Sequence, residues 1–346
     1  MSVFSTGKLP AEFLEYCLGK IPITDPRVKI SGRVGEDAAV IDCGGRFLLA
    51  KSDPITFATD RPGWYAVQVN ANDIAAMGGT CRWFLATILL PESGAGEKLV
   101  GSIFDDIASA CSELNIQLVG GHTEITHGLP RTIVCGMMLG EAGLDTLCGK
   151  ERISEGDRLL LTKALAVEGT SLIAREFPDR AGEVLTGQQM EKAAQFLYDP
   201  GISVVREARL AVETGFVSAM HDPTEGGLVS ALCELAVASG KGLAVDLLSV
   251  PVYSETKDLC AHLGLDPLGL IASGSLLIVC SPEGAGQIAD ILQAEGIACT
   301  EIGKVVGAEE GLTEIVEGER RDLRKFERDE ICRLFAQGPQ QEKTGR

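Results

Sequence analysis

The sequence predicts a two-domain chain of the α/β or α+β class. Short apolar runs alternate with stretches of helical apolar spacing, a mixture that fits neither a helical bundle nor a β-sandwich. At 346 residues the chain is long for one domain and comfortable for two, and 45% hydrophobic residues can build a sizeable core. The polar, glycine-bearing segment GEAGLDTLCGKERISEGD (140–157) offers the boundary between them. The expected domains are residues 1–150 and 151–337, followed by a polar tail, 338–346, with the composition of a disordered segment.

The elements follow in order along the chain. RFLLA (46–50) reads as a strand, and a helix is predicted over 64–77, where Val67, Ala71, Ile74 and Ala75 form one stripe and Gly78 ends it. WFLATILL (83–90) and RTIVCGMML (131–139) read as strands on either side of a helix over 100–114. RLLLT (158–162) opens the second half, with helices expected over 165–177, 201–214 and 226–239. In the last of these Leu228, Leu232, Leu235 and Ala236 have the spacing of a buried face. LAVDL (243–247) and SLLIVC (275–280) are further strands, and a helix follows over 284–295. GERRDLRKFERDE (318–330) carries Leu323 and Phe326 at i, i+3 and reads as a solvated helix with one packed edge.

Bulk properties exclude several classes. A net charge of −18 repels a phosphate backbone, so no nucleic acid partner is expected. No run of about 18 uncharged apolar residues exists, so no membrane span is expected. The N-terminus lacks a basic start and apolar core, and the eleven cysteines are scattered without a C-x-x-C, which together predict the reducing cytoplasm. Every Gly-Lys pair is followed by the wrong residue for a Walker phosphate loop. Gly284-Ala285-Gly286 imitates a dinucleotide fingerprint after a strand, but Ser281, Pro282 and Glu283 look like a cap and first turn, which places those glycines inside the helix.

The informative residues are acids. In HDPTEGG (221–227), His221, Asp222 and Glu225 lie just ahead of a helix, with two readings open. Asp222 could be an N-cap with Pro223 at N1 and Glu225 at N3, or the carboxylates could face a ligand. Four other stretches repeat the pattern. Gly35-Glu36-Asp37 runs into a strand, and Ser52-Asp53-Pro54 ends one. Asn70 and Asp73 sit three apart in a helix of small residues with no Lys or Glu on that face, which favours a site. Gly120-Gly121-His122-Thr123-Glu124 opens from an apolar strand end, its glycines suited to close backbone approach. If the fold gathers Asp37, Asp53, Asp73, Glu124, Asp222 and Glu225, they form an oxygen-rich cage suited to Mg²⁺ on phosphates.

GEDAAVID, SDP, VNANDIAAMGG, GGHTE and HDPTEGG, in this order and separation across roughly residues 30–305, resemble the aminoimidazole ribonucleotide (AIR) synthase superfamily. Its members include thiamine-monophosphate kinase, selenophosphate synthetase and the hydrogenase maturation factor HypE, to which HDPTEGG and LTKALAVEGTSLIA (161–174) are most similar. The resemblance implies an N-terminal domain that dimerises into a shared barrel, a C-terminal α/β domain, and ATP with Mg²⁺ in the cleft. It implies metal or catalytic roles for Asp37, Asp53, Asp73, Asp222 and Glu225, with His122 and Glu124 also catalytic. It implies cofactor contacts from Gly35, Ser52, Asn70, Gly120, Gly121, Thr123 and Thr224.

The implied function is Mg-ATP-dependent activation of an amide or carbonyl oxygen by phosphorylation, in a homodimer with a maturation-protein partner and a small-molecule or protein-bound substrate. The alternatives are a small-molecule kinase or a nucleotide-binding scaffold without turnover. This chain departs from the pattern at His122, where kinase-like members carry an acid, and at Glu225, where HypE has arginine. HypE also ends in a cysteine that accepts a carbamoyl group. The nearest candidate here, Cys332, sits among Phe326, Ile331, Leu334 and Phe335, an apolar setting that predicts a packed, inert thiol.

Overall fold

The computed structural model describes residue 4, residues 6–316 and residues 318–337, so the expected disordered tail lies outside the described residues. Two sheets organise the chain. The first contains β1 (Val28–Ile30), β2 (Ala39–Asp42), β3 (Phe47–Ile55), β4 (Thr80–Pro91), β5 (Gln117–Thr126) and β6 (Ile133–Ala142), in the order β1-β2-β3-β6-β4-β5. Only β4 and β5 run parallel; the other neighbours are antiparallel. In β4 the alternate residues Phe84, Ala86, Ile88 and Leu90 are buried, the period-2 signature of a sheet covered on one face.

The covering helices are α2 (Pro62–Ala76) and α3 (Glu97–Glu113), preceded by the short α1 (Ala11–Leu18). Here the structure corrects the expected one-sided stripe: every residue of α2 is buried. Its small side chains let neighbours close in from all sides. At Gly63 an added Cβ would lie 2.5 Å from the Ile103 carbonyl of α3. Asn72 reaches across to the second half, donating to Ile202 O at 2.8 Å and accepting from Val204 N at 2.8 Å.

The second sheet contains β7 (Arg158–Thr162), β8 (Val217–His221), β9 (Gly242–Asp246), β10 (Leu277–Cys280), β11 (Cys299–Val306), β12 (Leu312–Val316) and β13 (Glu319–Asp322). Their order is β13-β12-β9-β11-β7-β10-β8, antiparallel except for β9 with β12. The intervening helices are α4 (Val167–Glu176), α5 (Pro178–Gly182), α6 (Gly187–Gln195), α7 (Val205–Glu213), α8 (Gly227–Ser239), α9 (Ser254–Leu263) and α10 (Pro282–Ala294). Alternation splits the sheet's side chains between two cores. Leu160, Met220 and Ile278 pack under α7 and α10, whereas Leu159, Leu161 and Leu277 join the larger core with α4, α8 and α9. Each fully buried Leu, Ile or Phe contributes roughly 1.5–3 kcal/mol. Among the described residues no helix is long and apolar enough to cross a membrane.

The six predicted apolar runs each lie on a strand, and the six predicted helices are present within a few residues of their expected ends. Gly284 and Gly286 fall inside α10, as the cap reading of Ser281-Pro282-Glu283 requires. Residues 318–330 are a correction. Instead of a helix, Glu319–Asp322 forms β13 on β12, with Arg321 and Arg324 both bound to Glu314. Leu323 is buried and Phe326 packs over Gly269, so long-range pairing overrides the helical spacing of those two residues. The last helix, α11 (Ile331–Gln337), docks Phe335 against Phe57 and Phe177 at centroid distances of 5.3 and 5.0 Å.

Candidate active site

A cleft between the two halves opens where β8 ends. β8 delivers His221, and Asp222 follows immediately. The two open readings of HDPTEGG resolve here. Helix α8 starts only at Gly227, with Gly226 at the N-cap position, so Asp222, Pro223 and Glu225 do not cap it. Gly226 and Gly227 both have left-handed backbones (φ 88° and 64°), and they turn the chain between Asp222 and the helix. At Gly227 a Cβ would sit 2.6 Å from Leu268 O, so the loop also needs glycine for space. Asp222 is buried, and neither of its carboxylate oxygens has a hydrogen-bond partner.

Opposite Asp222 stands Asp37, from the loop before β2. Gly35 shapes that loop with φ 86°, and a Cβ there would lie 2.4 Å from Glu234 O of α8. Asp37 is buried between the ammonium of Lys150 and the imidazole of His221, bonded to both. His221 Nε2 meets Glu234 Oε2 at 3.0 Å, and Glu234 Oε1 accepts from Lys8 Nζ at 3.1 Å. Burial alone would raise the Asp37 pKa, but the His221 and Lys150 charges hold it well below the usual range. Burial would lower His221, yet Asp37 and Glu234 outweigh it and raise its pKa to about 9, so the imidazole is a cation at neutral pH.

The next group comes from β3 and α2. Lys51 Nζ lies 2.9 Å from Asp73 Oδ1 and 3.3 Å from Asp53 Oδ2. Asp73 Oδ2 is buried without a partner. Burial, opposed by Lys51 but reinforced by Asp222, Asp53 and Asp37, raises the Asp73 pKa well above the ordinary carboxylate value. Burial, with the Asp37 charge adding to it, raises Asp222 to about 7. Asn70 does not reach into the cleft as expected of a cofactor contact. Its Oδ1 accepts from Asp53 N at 2.9 Å and its Nδ2 donates to Ala66 O at 2.8 Å, so it fixes the backbone that carries Asp53.

Strand periodicity removes several expected members. On β3, Lys51 and Asp53 point toward α2, so Ser52 points to the other face, where its hydroxyl donates to Gly136 O at 2.8 Å. His122 and Glu124 pair with Thr87 and Leu89 of β4 and share that outer face. Gly120-Gly121-His122-Thr123-Glu124 is therefore the middle of the edge strand β5, not a loop at the strand end. His122 Nε2 meets Glu124 Oε2 at 3.2 Å on an exposed surface. Thr123 pairs with Ile88 and is exposed at the same edge. Gly121 is required by a close approach within the sheet, since its Cβ would sit 1.9 Å from Ala86 O. Within one chain the sheet itself separates Ser52, His122 and Glu124 from Asp73 and Asp222, whereas Thr123, opposite buried Ile88, lies on the helix-covered face at the sheet edge.

The cleft has two lobes. One, of about 340 Å³, is lined by Gly35, Asp37, Lys51, Asp73, Asp222 and Glu234. The other, of about 280 Å³, is lined by Asp53, Phe57, Glu168, Thr224, Glu225 and Ser273. Thr224 and Lys8 border both lobes. Glu225, expected with the other acids, instead lines the second lobe, and its Oε1 accepts from Lys8 N at 2.9 Å. Asp37, His221 and Asp222 bring one donor atom each within 4.8 Å of one another, the one such group among the described residues. Both ring nitrogens of the cationic His221 are taken by Asp37 and Glu234, so its part is to orient Asp37, and only the carboxylates are free to ligate. The unpartnered oxygens of Asp222 and Asp73 complete an oxygen-rich set that fits a hard divalent cation such as Mg²⁺.

Sequence reasoning missed the cations and two acids. Lys8 and Lys150 belong to Gly-Lys pairs that fail as phosphate loops, and Lys150 lies 113 positions from the Asp37 it neutralises. Lys51 had a signal, because it shares a strand face with Asp53. Glu234 and Glu168 sit in apolar helical runs that read as core. Cys332 is buried, and burial raises its thiol to about 11, the packed and inert state its apolar neighbours predict.

Known proteins share this architecture. A carbamoyl dehydratase HypE of Azotobacter vinelandii is 29% identical over 276 residues, 77% of this chain and 76% of its own length. A selenide, water dikinase of Pelobacter propionicus is 28% identical over 318 residues, 82% of this chain and 84% of its own. The crystal structure of E. coli HypE superposes with a TM-score of 0.73 at 20% identity, covering 93% of this chain and 99% of that one, a likeness of fold. The AIR synthase related proteins match over residues 35–142 with their N-terminal domain and over 154–314 with their C-terminal domain. The chain belongs to the AIR synthase related family.

Proposed function

We propose that this chain is a Mg²⁺- and ATP-dependent enzyme of the HypE type, which activates an amide oxygen by phosphorylation so that it leaves as phosphate. The observation that carries the reading is Asp222, a buried carboxylate with both oxygens free, set among Asp37, Asp73 and Lys51 in the interdomain cleft. These three acids, with Asp53 beside them on Lys51, suit cation-bound phosphates and offer little to an apolar ligand. Magnesium at Asp222, Asp73 and the Asp37 corner would supply charge neutralisation of the phosphates. Lys51 and Lys8 would orient the phosphoryl oxygens, and the second lobe would hold the acceptor.

Relatives support this choice over a kinase. Carbamoyl dehydratases recur among them, and a HypE crystal structure in complex with ATP, 24% identical, shares the fold at a TM-score of 0.70 across 88% of this chain and 91% of that one. Purified protein should hydrolyse ATP only with Mg²⁺. Tight ATP binding without hydrolysis would instead identify a scaffold, and ATP consumption that phosphorylates an acceptor without dehydrating it would identify a kinase.

The reading includes a homodimer, cytoplasmic residence and a maturation-protein partner, the last because one structural relative is a complex of HypE with HypF. The outer face of the first sheet supports self-association. Trp83 and Met137 are 36% and 41% exposed there, and β5 is an unpaired ten-residue edge. Pairing these faces would give a shared barrel and bury Ser52, His122 and Glu124 at the interface. Light scattering at micromolar concentration should give twice the chain mass, and a monomeric mass would refute the dimer.

A further inference from the structure

One buried acid in the cleft has no part in the phosphate lobe. Glu168, at the start of α4, is buried, lines the second lobe and has an Oε2 without a hydrogen-bond partner. Its backbone N–H donates to Ser273 O at 3.1 Å, which fixes the turn into the helix. Asp37, Asp53 and Asp73 each face a lysine, whereas Glu168 has none bonded to it. Apolar Phe57, Ile55 and Ile271 share its lobe with Asp53, Thr224 and Glu225. An uncompensated carboxylate beside apolar walls can accept a proton from an N–H donor bound there.

Resting on the dehydration reading above, we propose that Glu168 is the base of the acceptor lobe, taking the N–H protons of a primary carboxamide. In the first step the amide oxygen bonds to the γ-phosphorus of ATP, the bond from phosphorus to the ADP oxygen breaks, and one N–H proton passes to Glu168 as the C=N bond forms. In the second step the C–O bond breaks, phosphate leaves with its electron pair, and the remaining N–H proton passes to Glu168 as the nitrile forms. Glu168 releases the first proton to the cleft between steps. The balance is carboxamide plus ATP giving nitrile, ADP and phosphate, with no oxidant or reductant.

The setting suits a proton acceptor working near neutrality. Burial raises Glu168 to about 7; the Ser273 hydroxyl opposes this, and the charges of Asp329 and Glu225 add to it. Lys8, Asp53 and Glu225 are the other titratable groups lining the lobe, and burial, with the Glu168 charge adding to it, raises the phenol of Tyr65 in α2.

The test compares wild type with Glu168→Gln and Glu168→Asp, using S-carbamoylcysteine methyl ester as the probe and ADP release as the readout. The probe should accelerate ADP release by wild type. Glu168→Gln should lose that acceleration on the order of a hundredfold or more, while Mg·ATP affinity by calorimetry is unchanged. Glu168→Asp should recover part of the rate with a shifted acidic limb in the pH profile. The inference is overturned by full acceleration in Glu168→Gln, by equal acceleration with the N,N-dimethyl analogue, which has no N–H to lose, or by no acceleration of wild type. Failure of wild type to bind Mg·ATP is a different result, which removes the ATP reading itself.

Discussion

Asp222→Asn should stabilise the protein without ligands and abolish its activity. Asp222 is buried with neither oxygen hydrogen-bonded, and burial together with Asp37 raises its pKa from the ordinary carboxylate range to about 7. A carboxyl with a higher folded than unfolded pKa takes up a proton on folding. Its destabilising effect is absent below about pH 4, where both states are protonated, grows between about pH 4 and pH 7, and is complete above. At about 1.4 kcal/mol per tenfold change in proton affinity, the full effect approaches about 4 kcal/mol. Neighbouring acids share the proton and the cleft can relax, so the variant should gain about 1–3 kcal/mol at pH 8, roughly 1–4 °C in Tm. At pH 5 the gain should shrink. Thermal melts of both proteins at the two pH values measure this, followed by melts with Mg²⁺ and ATP, which should reverse the ranking because only wild type binds them tightly. An equal or lower Tm for Asp222→Asn at pH 8 would show that the carboxylate is compensated in the folded protein, and the metal-site reasoning would fail with it.

Other perturbations separate phosphate chemistry from scaffolding. Asp73→Asn keeps the side-chain volume and leaves Lys51 with Asp53, so circular dichroism should be unchanged while Mg·ATP affinity by calorimetry falls about 10- to 100-fold; wild-type affinity would remove Asp73 from the site. Lys150→Met leaves buried Asp37 with His221 alone and should cost about 3 kcal/mol in denaturant unfolding; a loss below about 1 kcal/mol would mean that His221 suffices. Cys332, buried with its thiol raised to about 11, should resist iodoacetamide in the native protein while exposed Cys43 is alkylated. Cys332→Ala should keep ATP turnover, and mass spectrometry after incubation with a carbamoyl donor protein should find no adduct on wild-type Cys332; an adduct that vanishes in the variant would restore the acceptor role.

Local chemistry made much of this protein legible in its sequence. The apolar runs that became β4, β6, β7 and β10 and the spacing that became α8 and α10 are short-range signals, and the structure keeps them. Ser281-Pro282-Glu283 was enough to reject a dinucleotide fingerprint, because cap and first turn are decided by adjacent residues. The acids at 37, 53, 73 and 222 stood out because each interrupts an apolar context, and all four line the cleft. Tertiary structure decided what they meet. The lysines that neutralise them carry no local mark: Lys150 reaches Asp37 across 113 positions. Ser52, His122 and Glu124 look like site residues beside their neighbours, yet a side-chain period of two turns them to the opposite face of the sheet, and only the register of β3 and β5 fixes which face that is. For Asp222 a cap stayed open beside the ligand-facing reading because its sequence neighbours suit one. Gly226 and Gly227 both take left-handed backbones, Gly227 under the carbonyls of Leu268 and Leu270, and the helix therefore starts at Gly227 and leaves the carboxylate free.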